Sequence, residues 1–375
     1  MYYICDGFYD CSDQSDEEEC TWISVNNKTY QSHLPPMERG QKTQIKASFD
    51  IQSFEDINVL QMKFKSKFVM SLQWNEPRVH YHYLQRKVNY WTKAAKQLWK
   101  PNLHFSNSVN AIDVLSNPNI NILILKMGKL ERSSDKSLHE NYFSHGREND
   151  MVLQAVYDLE FKCTYNLENY PFDTQKCFIE LDIGLDQINY LELTKGNLTF
   201  SGHEDQFVQF HVSNFKLIQL DNGRFLKCTF IFDRIPFFYL FITFFPTFGI
   251  VVMSLITLFI NEKHFDSTIM VSLTSMLVLY TLHQSIMAQM PATAYLKFMD
   301  YWLIFCLTIP FIVFLILVSW NLMNELNEDN VHTLEKFESF NKRKHQCKKT
   351  MQIGLPLISA ICILGFAIYA IILES

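Results

Sequence analysis

The sequence predicts an antiparallel β-sandwich up to about residue 234, then an all-α membrane domain of four helices, with a short acidic, cysteine-bearing segment in front of both. Three observations predict it. Apolar residues alternate with ordinary charge through the first 230 or so positions. Ile235–Met323 and Ile353–Leu373 are almost free of charge. Cys5, Cys11 and Cys20 enclose an acidic run that has no apolar core of its own. The balance of 33 Lys and Arg against 39 Asp and Glu leaves a net charge of −6, with basic residues concentrated only at Asn341–Lys349, so nothing argues for nucleic acid as a partner.

In the front segment the cysteines stand at fixed intervals among Asp6, Asp10, Asp13, Asp16 and Glu17, which a solvated acidic tail does not require. The pattern C-D-G-x-x-D-C-x-D-x-S-D-E-x-x-C, from Cys5 to Cys20, resembles the C-terminal half of an LDL-receptor class A module. That resemblance implies a Ca2+ cage with side-chain ligands Asp6, Asp10, Asp16 and Glu17, completed by carbonyls near Tyr3 and Phe8. It also implies a Cys5–Cys20 disulfide and a partner for Cys11 upstream of Met1. Neither that partner nor a signal peptide is present, so the chain is expected to lack its natural N-terminus. The bland alternative is an acidic coil with chance cysteines.

Residues 21–234 read as β structure. Over Met62–Trp74, Phe64, Phe68, Met70, Leu72 and Trp74 alternate with Lys63, Lys65 and Lys67, the period of a half-buried strand. Leu153–Phe161 and Phe207–Val212 repeat the pattern, and Asn222-Gly223 within Leu220–Phe225 is a strong hairpin signal. Strands at this spacing predict an immunoglobulin-like sandwich. Cys163 and Cys177 enclose thirteen residues. A bridge closing a loop of that size stabilises by on the order of 3 kcal/mol. The tip between them, Asn169–Asp173, is expected to expose aromatics beside a proline. Asn27 and Asn197 each begin an N-x-Thr sequon and become glycosylation acceptors if this part is extracellular. Cys228, Cys306, Cys347 and Cys362 are expected to be free thiols.

Residues 235–375 supply four spans, because roughly 20 apolar residues cross a ~30 Å hydrocarbon core. They are Ile235–Ile260, Ser267–Met290, Tyr301–Met323 and Ile353–Leu373. The link 324–352 holds the basic run and is expected to be a cytoplasmic loop, which puts both chain ends and the sandwich outside the cell. The second span is interleaved with Ser, Thr, His and Gln. Steps of four and three gather Asp266 or Ser267, Met270, Thr274, Leu277, Thr281, Gln284 and Ala288 on one face. Hydroxyls around one large leucine fit a pore lining with an apolar constriction. They fit equally well a buried bundle helix whose hydroxyls bond to neighbouring carbonyls. The pore reading demands several copies around an axis.

The stretch "CTYNLENYPFDTQKC", with Pro-Phe-Asp at the tip, resembles the Cys-loop receptors, the pentameric neurotransmitter-gated ion channels. "WNEPRV" at Trp74–Val79 and "LWKPNLHFSN" at Leu98–Asn107 are similar to the glycine and GABA receptor branch. Pro246 inside the first span and "MPATAYLKFMDYW" after the second fit as well, and the likeness covers about Thr21 to Ser375. The resemblance implies a multi-pass plasma-membrane subunit with an extracellular N-terminus, assembled with four further subunits, in contact with lipid and opened by a small extracellular agonist. It further implies a Cys163–Cys177 disulfide, a pore lined by the second span with Leu277 at its gate, and no enzymatic activity. Coupling would run through Tyr170, Pro171, Phe172, Asp173, Arg234 and the linker from Pro291 to Lys297.

Two departures qualify these expectations. Anion-passing relatives carry Pro-Ala-Arg at the cytoplasmic mouth, whereas this chain has Asp266-Ser267-Thr268; the count from Pro246 matches the longer spacing of the anion branch, but a ring of Asp266 carboxylates favours cations. The agonist box looks degenerate. "LDNGRF" is a tight turn without cysteines, Leu181–Asn189 lacks an aromatic, and Val69 and Ser71 replace an aromatic and an arginine, so neither a cation–π box nor an arginine clamp is complete. An accessory role, gating by protons through His80, His82, His203, His211 or His283, and a non-conducting cell-surface receptor remain as alternatives. Four spans with a polar-faced second helix argue against the last.

Overall fold

The computed structural model describes residues 11–15, 23–26, 28–37, 40–82, 84, 88–90, 98–127, 131–132, 142–202, 209–260, 264–329 and 334–374. The expected calcium ligands Asp6, Asp10, Asp16 and Glu17, the Cys5–Cys20 pair and the sequon at Asn27 lie outside the described residues.

Among the described residues the β part forms three hydrogen-bonded sheets. The largest has the order β12 (Leu191–Phe200), β2 (Thr43–Asn58), β3 (Lys63–Asn75), β10 (Asp150–Lys162), β7 (Asn121–Leu125) and β5 (Val88–Tyr90). The second has the order β13 (Phe210–Leu220), β14 (Phe225–Arg234), β11 (Thr174–Ile183) and β6 (Leu103–Phe105). A small third sheet joins β1 (Ile23–Val25), β4 (Val79–His82), β9 (Tyr142–His145) and β8 (Glu131–Arg132). The period-two patterns place the core. Phe64, Phe68, Met70, Leu72 and Trp74 of β3 are buried, and Phe64 meets Phe230 of the second sheet edge-on at 5.3 Å. Burying each such ring stabilises by roughly 1.5–3 kcal/mol. The alternating lysines face outward, Lys63 to Glu160 and Lys65 to Asp158, both at 2.9 Å.

One pairing departs from the antiparallel expectation, because β12 runs parallel to β2. After β11 the chain leaves the second sheet and joins the free edge of the first, a crossover that permits the parallel pairing a hairpin cannot make. The hairpin between β13 and β14 closes as its sequence requires, with Asn222 at φ 48° and Gly223 at φ 82°. A Cβ on Gly223 would meet Glu192 Cγ at 2.4 Å, so both conformation and space demand glycine.

Among the described residues, four helices are long and apolar enough to cross a membrane: Phe237–Thr257, Phe265–Met287, Phe298–Met323 and His345–Leu373. They lie within α1 (Phe237–Thr257), α2 (Phe265–Met287), α3 (Phe298–Asp329) and α4 (Leu334–Glu374). The turn Leu240–Phe244 of α1 widens to a π-helix immediately before Pro246, which offers no N–H and whose ring crowds the preceding turn. The link 324–352 corrects the expectation of a loop. Helix α3 continues to Asp329 and α4 begins at Leu334. This stretch contains neither Pro nor Gly and is rich in Glu and Lys, so nothing in its composition breaks a helix. The bundle is tied by Trp302 Nε1 donating to Thr247 Oγ1 at 2.9 Å and Ser272 Oγ donating to the Pro310 carbonyl at 3.2 Å. Phe366 of α4 packs on Phe298, Trp302 and Phe305.

Candidate functional site

The sequence-predicted coupling residues meet where the second sheet reaches the helices. Cys163 and Cys177 form a disulfide with Cα atoms 5.5 Å apart, which returns the loop to the start of β11. The tip does not expose its aromatics as expected. Tyr170, Phe172 and Asp173 are all buried. The rings found an apolar partner: Tyr170 packs on Tyr239 at 5.1 Å and Phe172 on Phe298 at 5.8 Å.

Asp173 faces Arg234, the last residue of β14. Arg234 Nε donates to Asp173 Oδ1 at 2.6 Å and its Nη2 donates to Oδ2 at 3.1 Å, with both side chains 2% exposed. Gln175 Nε2 also donates to Asp173. The guanidinium lies over the rings of Phe210 at 4.5 Å, Tyr170 at 4.8 Å and Tyr239 at 5.8 Å. Burial would lower the pKa of Arg234, but the hydrogen bonds and charge of Asp173 outweigh it and hold the guanidinium above its ordinary value. Burial raises the Tyr170 phenol, with Tyr239 adding to the shift. A neutral Tyr170 phenol and a paired Arg234 cation therefore persist across physiological pH.

The main chain completes the junction. Phe298 N donates to the Glu168 carbonyl at 2.7 Å and Met299 N to the Tyr170 carbonyl at 3.2 Å, while Leu167 N donates to Tyr295 Oη at 3.0 Å. Lys297, buried at the end of the linker from Pro291, has its backbone N–H on Asp300 Oδ2 at 2.9 Å. The loop tip is thus bonded directly to the start of α3. Sequence reasoning brought Tyr170, Phe172, Asp173, Arg234 and Lys297 to this region but missed Gln175, Phe210 and Tyr239. The repeated aromatics of "RIPFFYL" were the available signal for Tyr239.

On α2 and its C-cap, Asp266, Met270, Thr274, Leu277, Thr281, Gln284 and Ala288 are exposed, Leu277 at 63%. At about 100° per residue, the buried residues Thr268, Ser272, Ser275 and Leu279 fall on the opposite side. Some of the helix's hydroxyls thus point into the bundle, whereas Thr274 and Thr281 stand on the open face.

The outward face of the second sheet, near the β13–β14 hairpin, carries charge where an aromatic box was sought. Two cross-strand rows run over it. In one, Ser106 Oγ donates to Glu180 Oε1 at 2.5 Å and Glu180 pairs with Lys227 at 2.7 Å. In the other, Asp182 takes His104 Nε2 at 3.3 Å and Arg224 Nε at 3.2 Å, with Arg224 over the Phe225 ring at 4.4 Å. Leu185, in the stretch that lacks an aromatic, is 78% exposed. Val69 and Ser71 lie on β3 of the other sheet, cross-strand to Val156 and Gln154. The sequence reading missed His104, Asp182 and Arg224 as a unit, because their juxtaposition depends on the pairing of β6, β11 and β14.

Residues 21–215, just over half of the chain, match the family described as neurotransmitter-gated ion-channel ligand binding domain. The chain is 21% identical over 303 residues to a gamma-aminobutyric acid receptor subunit beta of Lymnaea stagnalis. The alignment takes in 76% of this chain and 57% of that protein, so the chain spans little more than half the length of that relative.

Proposed function

The chain belongs to the family of the neurotransmitter-gated ion-channel ligand binding domain, and from that premise we propose that it is one subunit of a pentameric ligand-gated ion channel. This is a family of ion channels, not of enzymes. In this reading the protein is a multi-pass plasma-membrane protein. Residues 21–234 stand outside the cell with Asn197, which is exposed on β12, as a glycan acceptor, and residues 235–375 cross the membrane among lipid. A Ca2+ site at Asp6, Asp10, Asp16 and Glu17 belongs to the same proposal.

The observation that carries the reading is the exposed stripe of α2 opposite its buried seam. Five copies around an axis would turn Met270, Thr274, Leu277, Thr281 and Ala288 toward one water column, with Leu277 as its apolar constriction. Asp266, exposed in the first turn, would form a carboxylate ring that attracts cations. The agonist signal would pass from the loop tip, Tyr170, Pro171, Phe172 and Asp173, through Arg234 and the Pro291–Lys297 linker. Whole-cell recording with external chloride replaced by a large anion tests selectivity. The reversal potential is expected to follow sodium, and a shift that tracks chloride overturns the assignment to Asp266.

The charge rows at the hairpin favour a more specific reading, in which this subunit does not bind the usual transmitters through an aromatic box. Homomers exposed to glycine, GABA, glutamate or acetylcholine are expected to stay silent. A robust homomeric current to any of the four overturns that reading and leaves the channel assignment standing.

A further inference from the structure

We propose that His80 and His145 form a two-histidine site for a borderline divalent transition-metal ion of the Zn2+ or Cu2+ class on the outer face of the small sheet. The backbone prepares it. On β4, Val79 and Tyr81 are fully buried while His80 and His82 are half-buried on the opposite face. His80 stands directly across from His145 of β9, and on its other side directly across from Ser24 of β1. Gly146 N donates to the Val79 carbonyl at 2.8 Å, which makes the neighbouring pair the hydrogen-bonded one. His80 and His145 therefore occupy a non-hydrogen-bonded position, where antiparallel side chains approach most closely.

The two rings are 4.7 Å apart between centroids and inclined by 56°, so they are neither stacked flat nor turned away. A centroid separation of 4.7 Å is compatible with one nitrogen from each ring turning to the same ion at the ~2.0–2.1 Å that Zn2+ takes to histidine, in place of the contacts the rings make without metal. Nitrogen donors of this kind favour Zn2+ and Cu2+ over Ca2+ and Mg2+, which take oxygen. The main chain under His145 is firmly held. Asn149 Nδ2 donates to its carbonyl at 2.7 Å, and a Cβ at Gly146 would meet the Glu76 carbonyl oxygen at 2.1 Å, so only glycine allows the approach.

His82 does not join the pair. Its Nε2 is hydrogen-bonded to Ser24 Oγ at 2.9 Å, which ties the ring to β1. Among the described residues no three His, Cys, Asp or Glu side chains gather as a metal cage. The site is therefore bidentate, with water completing the shell, and weaker than a four-ligand structural site. A bound ion would cross-link β4 to β9, strands far apart in sequence, and stabilise the folded β domain by mass action.

The test uses the full chain purified in detergent with excess CaCl2, so that the acidic N-terminal segment does not compete for the metal. Histidine modification by diethyl pyrocarbonate, mapped by mass spectrometry, is measured with and without ZnCl2. Zn2+ is expected to slow modification at His80 and His145 by about tenfold and to leave His104 and His211 within about twofold, because losing even an outer partner of a metal ligand costs tenfold or more in affinity. Cu2+ titration followed by electron paramagnetic resonance is expected to show two coordinated imidazole nitrogens. His80→Asn or His145→Asn should each weaken Cu2+ binding by about tenfold or more, and His82→Asn by much less. Unchanged modification rates at His80 and His145, or equal protection of every histidine, overturns the site. So does wild-type Cu2+ affinity in both variants. The footprint needs no variant, so it decides the matter even if one fails to fold.

Discussion

Two arginine–aspartate pairs tie β11 to β14, one at each end of the same two strands, and they are built differently. At the membrane end Asp173 and Arg234 share two hydrogen bonds, 2.6 and 3.1 Å, with both side chains 2% exposed and three aromatic rings around the guanidinium. At the hairpin end Asp182 and Arg224 make one contact of 3.2 Å, with the arginine 28% exposed over a single ring. The chemistry is the same and the dielectric is not. In a low-dielectric setting, loss of one partner leaves an uncompensated charge, whereas near water the solvent takes the place of the missing group. The membrane end is thus a fixed joint between sheet and helices, and the hairpin end is a face whose charges can change partners.

The hardest test of that contrast is Arg234→Ala. Stranding the Asp173 carboxylate should cost about 3–5 kcal/mol, seen as a large fall in the thermal midpoint of the purified protein or as loss from the cell surface. Adding Asp173→Ala should recover part of the loss, since no buried charge then remains. A cost below about 1 kcal/mol for the single variant would make the two ends equivalent. Next in size is Cys163→Ser. Opening the loop that delivers Asp173 should cost about 3 kcal/mol, and the effect should be non-additive with Arg234→Ala because both act on one junction.

A third effect, small near pH 9 and growing with pH, comes from the middle of β14, where Cys228 faces the core. Burial pushes its thiol from the ordinary 9.0 up to about 12. The folded state keeps the proton, so this contribution is intact below pH 9 and is lost as pH rises toward 12. Stability should fall by roughly 1 kcal/mol per pH unit in that window. Cys228→Ala should flatten the alkaline limb relative to wild type, and tyrosine ionisation contributes equally to both proteins. Identical limbs would place Cys228 in contact with solvent.

The same contrast explains what was legible in the sequence. The alternation of Phe64, Phe68, Met70, Leu72 and Trp74 is a local, period-two signal and gave the core strand within a residue of its bounds. The four charge-free stretches gave the helices. Asp173 and Arg234 were both legible because the family resemblance marks the loop tip and the arginine before the first span. What failed was environment. The aromatic tip at Tyr170 and Phe172 reads as exposed when nothing in the loop covers it, but α1 and α3, distant in sequence, do so. The link 324–352 reads as a loop by charge, although its residues favour helix. The His104, Asp182 and Arg224 row had no signal in any one segment, since its members come from β6, β11 and the turn before β14, whose register only the fold supplies.

The smallest expected effect is the most informative about the hairpin face. Arg224→Ala removes one hydrogen bond, a stack on Phe225 and a weak contact with Asp221 at 4.0 Å. Asp182 is buried, its side chain 9% exposed, but it keeps His104 at 3.3 Å, and removal of the 28%-exposed arginine opens it to water. The cost should therefore be about 0–1 kcal/mol, and it should shrink further between low and high salt because part of the pair lies within reach of screening ions. A double-mutant cycle with His104→Ala, run at both salt concentrations, isolates the coupling. Coupling that is near zero at high salt keeps the row as an adjustable surface. Salt-independent coupling of about 2 kcal/mol or more would mean that His104, Asp182 and Arg224 form a desolvated network like the one at the membrane end. The hairpin would then be a second fixed joint rather than a face open to a ligand.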